Sequence, residues 1–247
     1  MYREFSAAAA LSRWVECCWT VEPQATMDYG VSPDGCLDIV YSPELGLCAV
    51  GAMPVERRFR LSAGMAVVGV RFRPGFARPF LQASPGELTG RIPALEQLWG
   101  RRARELESRL SGALTAGERT QLLLSALARR DAPGNAPLDR AMQAIAAANG
   151  VVDLDWAASQ AGMSVRQFRR RCLEESGLTP KRLCRVLRFR RSLEIAARRG
   201  LNWAAIAAET GYFDQAHLIR DFREFTGRTP MAVFSNTGTA DAGENQA

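Results

Sequence analysis

The stretch from Leu154 to Phe234 nearly repeats itself at an offset of fifty residues, and this repeat constrains the fold more than any other feature of the chain. Seven pairs of identical residues are related by the offset: Ala157 and Ala207, Ala158 and Ala208, Arg170 and Arg220, Glu174 and Glu224, Gly177 and Gly227, Thr179 and Thr229, Pro180 and Pro230. A fixed internal period indicates copies of one supersecondary unit. We therefore expect two similar modules in this part of the chain.

Each copy is patterned as a short apolar helix, a turn and a longer helix that begins after a good N-cap residue. The N-cap is Ser164 in the first copy and Asp214 in the second. In the first copy Val165, Phe168 and Cys172 share one face of the longer helix by the 3.6-residue period. This is a helix-turn-helix pattern, so the longer helices are candidate DNA-reading helices.

The outer face of each longer helix carries the side chains that we predict to contact bases. An arginine can donate two hydrogen bonds to guanine O6 and N7, and Ala or Ile can meet a thymine methyl group. The predicted base-reading residues are Arg166, Arg169 and Arg170 in the first copy and Gln215, Ala216, Ile219 and Arg220 in the second. Because the second group has fewer charges, we expect weaker base discrimination there.

A further group is predicted to hold DNA phosphates, through cationic side chains or at helix N-termini. Its members are Ser164, Arg182, Arg185, Arg188 and His217. The only histidine of the chain, His217, begins the second reading helix. A local hydrogen bond or a phosphate contact is favoured for it over base reading.

Two segments resemble a known family. SVRQFRRRCLEESGLTP and NWAAIAAETGYFDQAHLIRDFREFTGRTP, with the basic helix between them, closely resemble the double helix-turn-helix domain of AraC/XylS-family transcription regulators. The AIA-x-x-x-GY-x-DQ-x-H-x-x-R-x-F run and the G-x-TP ending of both copies carry the match, over roughly residues 137 to 235. The resemblance implies two recognition helices in successive major-groove segments on one side of the DNA.

The segment between the two copies supports this geometry independently. From Lys181 to about Arg199 it contains neither Pro nor Gly and is predicted to form a single helix. At ~1.5 Å per residue its length is nearly 30 Å. The major groove returns to the same side of DNA about every 34 Å, so a rigid connector of this length can hold two readers one turn apart.

Positive charge is concentrated in the same region. Residues 137–235 contain 16 Lys and Arg against 10 Asp and Glu, a surplus of six that equals the net charge of the whole chain. Ten basic residues but only two acidic ones, Glu174 and Glu175, lie between Arg166 and Arg191. A solvated helical face would also explain such a stretch. Within a repeated helical module, it favours a phosphate-binding surface.

The first 132 residues follow a different pattern, in which short segments rich in Val, Ile, Phe and Trp alternate with Gly and Pro turns. These segments predict strands: RWVECCWT, CLDIVYS, CAVGA, RRFRL and MAVVGVRF. Helical spacing follows, with apolar faces that include Leu106, Leu110 and Leu114. The predicted fold is an α+β N-terminal domain, a small sheet followed by helices, and then an all-α domain with two helix-turn-helix units joined by a long helix.

Four segments are predicted along the chain. Residues 1–132 form a sensing or dimerisation domain, and residues 133–137 of the DAPGNAP stretch form a linker. The DNA-binding domain covers 138–235. Residues 236–247 are small and polar, which predicts a disordered tail.

The N-terminal segments PDGCLDIVY, VGVRFRPGFARPFL and LEQLWG resemble the N-terminal domain of a subset of AraC-like regulators. This resemblance implies a sensing or dimerising role, without naming an effector. Aromatic groups with a few polar anchors are typical of a small-molecule pocket, although the aromatics also suit a plain core. The candidate effector pocket consists of Trp19, Asp38, Arg71, Arg73 and Phe76.

Six cysteines raise the alternative of a metal- or thiol-responsive regulator that uses the N-terminal cysteines. Against it, the cysteines lack C-x-x-C spacing, and buried reduced thiols are ordinary in a cytoplasmic protein. An Ada-like alkyl-transfer protein would need a cysteine cluster that is not present. No nucleophile-elbow, Walker, Rossmann or zinc-protease motif occurs, so we predict no enzyme, no metal site and no cofactor.

The expected partners are double-stranded DNA and an unknown small-molecule effector, with RNA polymerase and a second copy of the chain as further candidates. The helices of residues 93–130 are the candidate dimer surface. No run of about 18 apolar residues suggests a membrane span, and MYREFSAAAALSRW lacks the features of a secretory signal. We therefore expect a cytoplasmic protein.

Overall fold

The computed structural model describes residues 1–128 and 136–235. The predicted tail and most of the predicted linker, residues 133–135, lie outside these ranges. The strands are β1 (Tyr2–Phe5), β2 (Val15–Val21), β3 (Met27–Val31), β4 (Leu37–Ser42), β5 (Gly46–Val50), β6 (Arg57–Leu61) and β7 (Val67–Phe72). The helices that follow them are α1 (Arg78–Leu81), α2 (Pro85–Leu88), α3 (Glu96–Trp99), α4 (Arg101–Gly112) and α5 (Ala116–Ala128).

Five strands form one antiparallel sheet in the order β1-β2-β7-β4-β5, and β3 pairs with β6 in a separate two-stranded sheet. Side chains alternate between the faces of a strand. One face of the larger sheet carries Ile39, Val70 and Phe72, which are completely buried in the main core beneath the helices. The other face carries Val40 and Val67, which belong to a smaller apolar cluster shared with β6. The larger sheet is therefore covered on both sides.

The predicted α+β architecture of the N-terminal part is confirmed, with three local differences. The pattern misses β1, a short strand at the edge of the sheet, and β3, whose alternation is interrupted by Gly30. Leu114 was expected on a buried helical face but is 91% exposed, because α4 ends at Gly112 and Leu114 lies in the loop before α5. Leu106 and Leu110 are buried as expected.

The C-terminal part is entirely helical within the described residues. Its helices are α6 (Ala136–Ala147), α7 (Leu154–Gln160), α8 (Val165–Ser176), α9 (Pro180–Arg199), α10 (Trp203–Glu209), α11 (Gln215–Thr226) and α12 (Pro230–Ser235). Helix α6 starts before the predicted position near Leu138, so the last two residues of the predicted linker are helical. The long connector is a single helix of 20 residues, as its composition predicts. None of the described helices combines the length and apolarity needed to cross a bilayer.

The two parts of the chain share one continuous apolar core, and α2 packs against α8. Around this contact, Thr89 Oγ1 donates a hydrogen bond to the carbonyl oxygen of Gly177 at 2.6 Å. Ser84 Oγ donates to the carbonyl oxygen of Glu174 at 3.1 Å, and Arg78 pairs with Glu175 at 2.6 Å. The C-terminal end of α8 is therefore fixed to the N-terminal part.

Gly177 and Gly227 allow the strength of this contact to be measured. Both cap a reading helix with left-handed backbone, at φ 77° and 71°. A Cβ atom at Gly177 would lie 2.8 Å from Thr89 Oγ1 and 3.0 Å from the Pro85 carbonyl oxygen, whereas none of the described atoms lies within 4 Å of one at Gly227. We expect Gly227→Ala to lower the free energy of unfolding by about 1 kcal/mol. Gly177→Ala should lower it by a further ~1–3 kcal/mol from overpacking.

Urea denaturation of the two full-length variants measures the difference. Each variant is the control for the other, since both carry the same backbone penalty. Equal losses of stability would show that α2 does not hold the end of α8.

Candidate DNA interface and ligand cavity

The N-terminal ends of α8 and α11 are capped in equivalent ways. Ser164 Oγ accepts a hydrogen bond from the Gln167 amide at 3.3 Å, and Gln167 Oε1 accepts one from the Ser164 amide at 2.9 Å, which completes a capping box. In the second unit, an Asp214 oxygen accepts from the His217 amide at 2.6 Å. Caps of this kind contribute ~1 kcal/mol each and fix where the helices begin.

The inner faces of the two helices pack on α9 and its neighbours. Phe168 and Cys172 of α8 are buried, as are Leu218, Phe222 and Phe225 of α11. Phe222 and Phe225 lie 4.9 Å and 5.0 Å from the ring of Phe189 on α9, between ring centroids. The predicted buried stripe of each helix is therefore the observed one, except that Val165 is half-exposed.

The predicted base-reading residues lie on the outer faces. Arg166, Arg169 and Arg170 are exposed on α8, and only Arg170 has an ion pair among the described residues, a long one to Glu174 at 3.8 Å. On α11, three of the four are exposed, and Ile219 is half-buried against the core. The structure therefore leaves these side chains accessible, and their roles in base reading stay predictions.

Two of the predicted phosphate-binding residues form stronger ion pairs within the chain than the predicted base-reading residues do. Arg182 and Arg185 both pair with Glu224, and Arg185 Nη2 also contacts Asp221 Oδ1 at 2.6 Å. A hydrogen bond from Arg185, strengthened by Arg182, lowers the pKa of Glu224. A phosphate contact by either arginine thus requires an exchange of partner.

The remaining members of this group are partly accessible. The Arg188 guanidinium lies 5.5 Å from the centroid of the Tyr212 ring, with its buried Nε atom making no hydrogen bond to the described residues. The imidazole of His217 packs edge-on against the same Tyr212 ring, with the two ring centroids 5.1 Å apart. Ser164 is occupied by its capping box. These assignments also stay predictions.

A cavity of about 500 Å³, here called the sheet cavity, lies between the five-stranded sheet and the β3-β6 pair. Its walls are apolar and include aromatic rings and methionines, among them Tyr2, Trp19, Tyr29, Phe59, Met53 and Met65. Gly69 helps to shape it, because a Cβ atom there would lie 2.3 Å from the Trp19 ring. The indole therefore lies directly over the backbone of β7 and reaches the neighbouring strand β4.

A charged group occupies one part of this wall. Asp38 on β4 and Arg71 on β7 are paired directly across the sheet. Asp38 Oδ1 accepts hydrogen bonds from Trp19 Nε1 at 2.8 Å and from Arg71 Nε at 3.3 Å. Arg71 Nε also lies 3.4 Å from Asp34 Oδ2. Burial, opposed by Arg71 and reinforced by Asp34, raises the pKa of Asp38 to about 6.

The structure separates the predicted effector-pocket residues into two groups. Trp19, Asp38 and Arg71 line the sheet cavity. Arg73 and Phe76 instead line a different cavity of about 460 Å³, between the start of the chain and α6 and α9. Strand alternation ends at Phe72, so Arg73 turns away and donates to the Ser12 carbonyl oxygen at 3.2 Å. The five residues therefore line two cavities and not one, and their role in effector binding stays a prediction.

Comparison with known proteins agrees with the repeated helical geometry. Residues 157–236 match a family model described as a helix-turn-helix domain, and residues 3–93 match one described as a domain of unknown function (DUF6597). The C-terminal part of the chain therefore contains an AraC-type helix-turn-helix domain. No curated protein matches its sequence.

Two solved structures of ToxT from Vibrio cholerae are similar to this chain over most of their length. ToxT of strain O395 is 11% identical, with a TM-score of 0.42, over 96% of this chain and 97% of that chain. Unsaturated-fatty-acid-bound wild-type ToxT of strain SCE256 is 9% identical, with a TM-score of 0.44, over 90% of this chain and 96% of that chain.

The AraC-type domain contacts the sheet cavity directly, which the sequence did not predict. Arg190 and Leu193 of α9 form part of the cavity wall. Arg190 pairs with Glu16 of β2, and its Nη1 lies 3.8 Å from the Cys36 sulfur. The sequence around Arg190 does not indicate this contact, because several residues of α9 are basic. The contact depends on how the N-terminal part folds.

Phe213 is a second residue that the sequence reasoning missed. It lies in the turn immediately before the N-cap Asp214 and is 93% exposed. A second aromatic residue directly after Tyr212, in the turn before the N-cap Asp214, was the available signal. Its position beside the N-terminus of α11 places it at the candidate DNA interface.

The cysteines give the metal- or thiol-responsive alternative no support. All six are buried and free. Burial raises the pKa of Cys17 to about 12 and those of Cys18 and Cys48 to about 11, so the reactive thiolate form is disfavoured. Within residues 1–128 and 136–235, no group of three or more His, Cys, Asp and Glu side chains is arranged to hold a metal ion.

Proposed function

We propose that this AraC-type regulator binds a specific duplex sequence through α8 and α11, and that a small molecule in the sheet cavity controls this binding. The observation that carries the proposal is the position of α9. This helix joins the two reading units, and its residues Arg190 and Leu193 also line the cavity. One rigid element therefore touches both the candidate ligand and the candidate DNA-reading helices.

On the DNA side, the spacing and exposure of the two units support the proposal. Helix α9 spans about 30 Å, close to the ~34 Å repeat of the major groove. Exposed arginines on α8 and Arg220 on α11 are suited to guanine edges, and Ala216 and Ile219 to thymine methyl groups. Ser164, Arg182, Arg185, Arg188 and His217 are proposed to contact phosphates, with Arg182 and Arg185 releasing Glu224 on binding.

On the ligand side, two contacts couple the cavity wall to α9. The turn that carries Asp34 packs closely on this helix, since a Cβ atom at Gly35 would lie 2.9 Å from Leu183 Cδ1. Arg190 pairs with Glu16 across the same boundary. A ligand that binds one arrangement of these contacts better than another shifts the population of α9 positions by its difference in affinity.

Other partners follow from the same proposal. RNA polymerase is the expected protein partner of a regulator that activates transcription. The helices within residues 93–130 remain the proposed surface for pairing with a second copy, and residues 1–132 the proposed sensing domain.

The base-reading proposal predicts a change of sequence preference for single variants. Arg169→Ala, Arg170→Ala and Arg220→Ala should each cost ~1–3 kcal/mol of binding free energy on the preferred site and relax preference at one base position. Arg188→Ala should weaken binding to all sequences alike. Selection from a random DNA pool, followed by titration of the selected site and of single-base variants, measures both effects.

Arg3→Ala is the matched control, because Arg3 is an exposed arginine on β1 of the N-terminal part. It removes the same charge and should leave sequence preference unchanged. If the α8 and α11 variants lose affinity equally on every sequence, the assignment of these residues to bases is rejected.

Phe213→Ala should weaken binding to the selected site by roughly tenfold, since an aromatic side chain stacked against sugar or a base edge is worth ~1–2 kcal/mol. Its stability should not change, because the side chain buries almost no surface in the free protein. Phe5→Ala is the control, as Phe5 is also an exposed phenylalanine but lies on β1 in the N-terminal part. Unchanged DNA affinity of Phe213→Ala would exclude a contact with DNA.

The ligand-control proposal predicts that small molecules raise the melting temperature of the full-length protein and change its affinity for the selected site. A ligand that binds only the folded state stabilises it by mass action. Val50→Trp, which fills the cavity, should abolish both effects. A broad panel without any hit, or hits that leave DNA affinity unchanged, would contradict control through this cavity.

A further inference from the structure

The charged residues of the sheet cavity indicate which class of ligand it can bind, and its volume alone does not. Asp38 is 8% exposed and lies on β4, between β7 and β5 in the sheet. Both of its hydrogen bonds, from Trp19 and Arg71, end on Oδ1. Among the described residues no hydrogen bond ends on Oδ2. A carboxylate offers about four acceptor sites, so this oxygen has unused capacity toward the cavity.

The arginines of the wall already have carboxylate neighbours within the chain. Each of the four that line the cavity already lies within 4 Å of a carboxylate. The pairs are Arg58 with Glu56 at 3.8 Å, Arg60 with Asp28 at 3.9 Å, Arg71 with Asp34 and Asp38 at 3.4 Å and 3.3 Å, and Arg190 with Glu16. An anionic ligand would therefore compete with these carboxylates for the guanidinium groups.

Negative charge is in excess around Asp38. The single guanidinium of Arg71 faces three carboxylates, since Glu4 also lies 3.9 Å from its Nη1 atom. Burial with this incomplete compensation raises the pKa of Asp38 to about 6. A buried carboxylate in such surroundings is stabilised by any further positive charge that reaches it.

The rest of the wall is suited to the body of such a ligand. The Trp19 ring, which donates to Asp38, is stacked on Tyr2 with ring centroids 6.3 Å apart. Phe59 and Tyr29 line the opposite side, on β6 and β3. Aromatic faces attract cations as well as apolar groups. The cavity volume of about 500 Å³ is in the range of small-molecule sites.

We propose that the sheet cavity binds an organic cation, a protonated amine attached to an apolar body, with the ammonium group at Oδ2 of Asp38 and the body among the aromatic rings. This inference rests on the proposed function, because it names the ligand class of the cavity that controls DNA binding. Arg71 and Trp19 hold the carboxylate in place. Asp38 selects the charge of the ligand.

The test uses three probes of one shape and different charge: phenylbutylamine, phenylbutanol and phenylbutanoate. Binding to the full-length protein is measured by isothermal titration and by the shift of the melting temperature. The amine should bind most tightly, the alcohol roughly 10- to 100-fold more weakly, as expected for loss of a charge-assisted hydrogen bond, and the carboxylate most weakly.

Asp38→Asn keeps an acceptor for Trp19 but removes the charge, and it should reduce amine affinity to that of the alcohol. Asp155→Asn is the control, since it makes the same change of net charge at an exposed position on α7. If Asp38→Asn does not fold, the order of the three probes on the wild-type protein still decides.

The outcomes separate this inference from the proposed function. Tighter binding of the alcohol or the carboxylate, or no binding of the amine, would overturn the cation assignment. Such a result leaves control by the cavity intact when the bound probe changes DNA affinity. Amine binding that depends on Asp38 but leaves DNA affinity unchanged would support the ligand class and refute the proposed control.

Discussion

The packing of α9 is the interaction on which the rest of the molecule depends. Its apolar residues are buried along most of its length, including Leu183, Val186 and Phe189. Phe189 anchors α11 through two aromatic contacts, while the start of the helix closes against the turn before β4. A helix that is core for both parts of the chain cannot move without repacking one of them, because close-packed interiors tolerate few voids.

The packing of α9 determines how large a difference in ligand affinity is needed to change the position of this helix. A ligand that binds one position of α9 tenfold better than another changes the balance between them by ~1.4 kcal/mol. The polar contacts at the boundary are individually of that size, since partly exposed ion pairs contribute ~0–1 kcal/mol and charge-assisted hydrogen bonds more. Arg190 with Glu16, and Glu56 with Arg228 at 2.7 Å, are contacts of this kind. Modest binding differences can therefore be transmitted through the boundary.

The sequence predicted the parts of the structure that are encoded locally. Caps at Ser164 and Asp214 and the uninterrupted connector follow from residue type and spacing alone, and the structure contains all three. Strands with clear alternation were also predicted.

Contacts between residues that are far apart in the sequence were not predicted. Arg71 and Arg73 are equivalent in sequence pattern, but only the first lies on a strand and faces the sheet cavity. The role of Arg190 as cavity wall depends on how two separately patterned parts pack, and no local period encodes that contact. The ion pair between Arg182 and Glu224, which are 42 residues apart in the chain, cannot be predicted from helical spacing either.

These arginine pairs also affect how DNA binding is expected to work. Arg185 is held by Asp221, which is almost completely buried, and by the exposed Glu224. Of the two partners, Glu224 can be replaced by a phosphate with little loss, because exposed ion pairs are weak in water. Asp221 cannot, since a buried carboxylate left without its arginine is strongly destabilising. In the proposed DNA complex, Arg185 therefore keeps Asp221, orients α11 against α9 and contacts the DNA backbone with its outer face. In that state the same residue stabilises the reading helix and contributes to non-specific affinity.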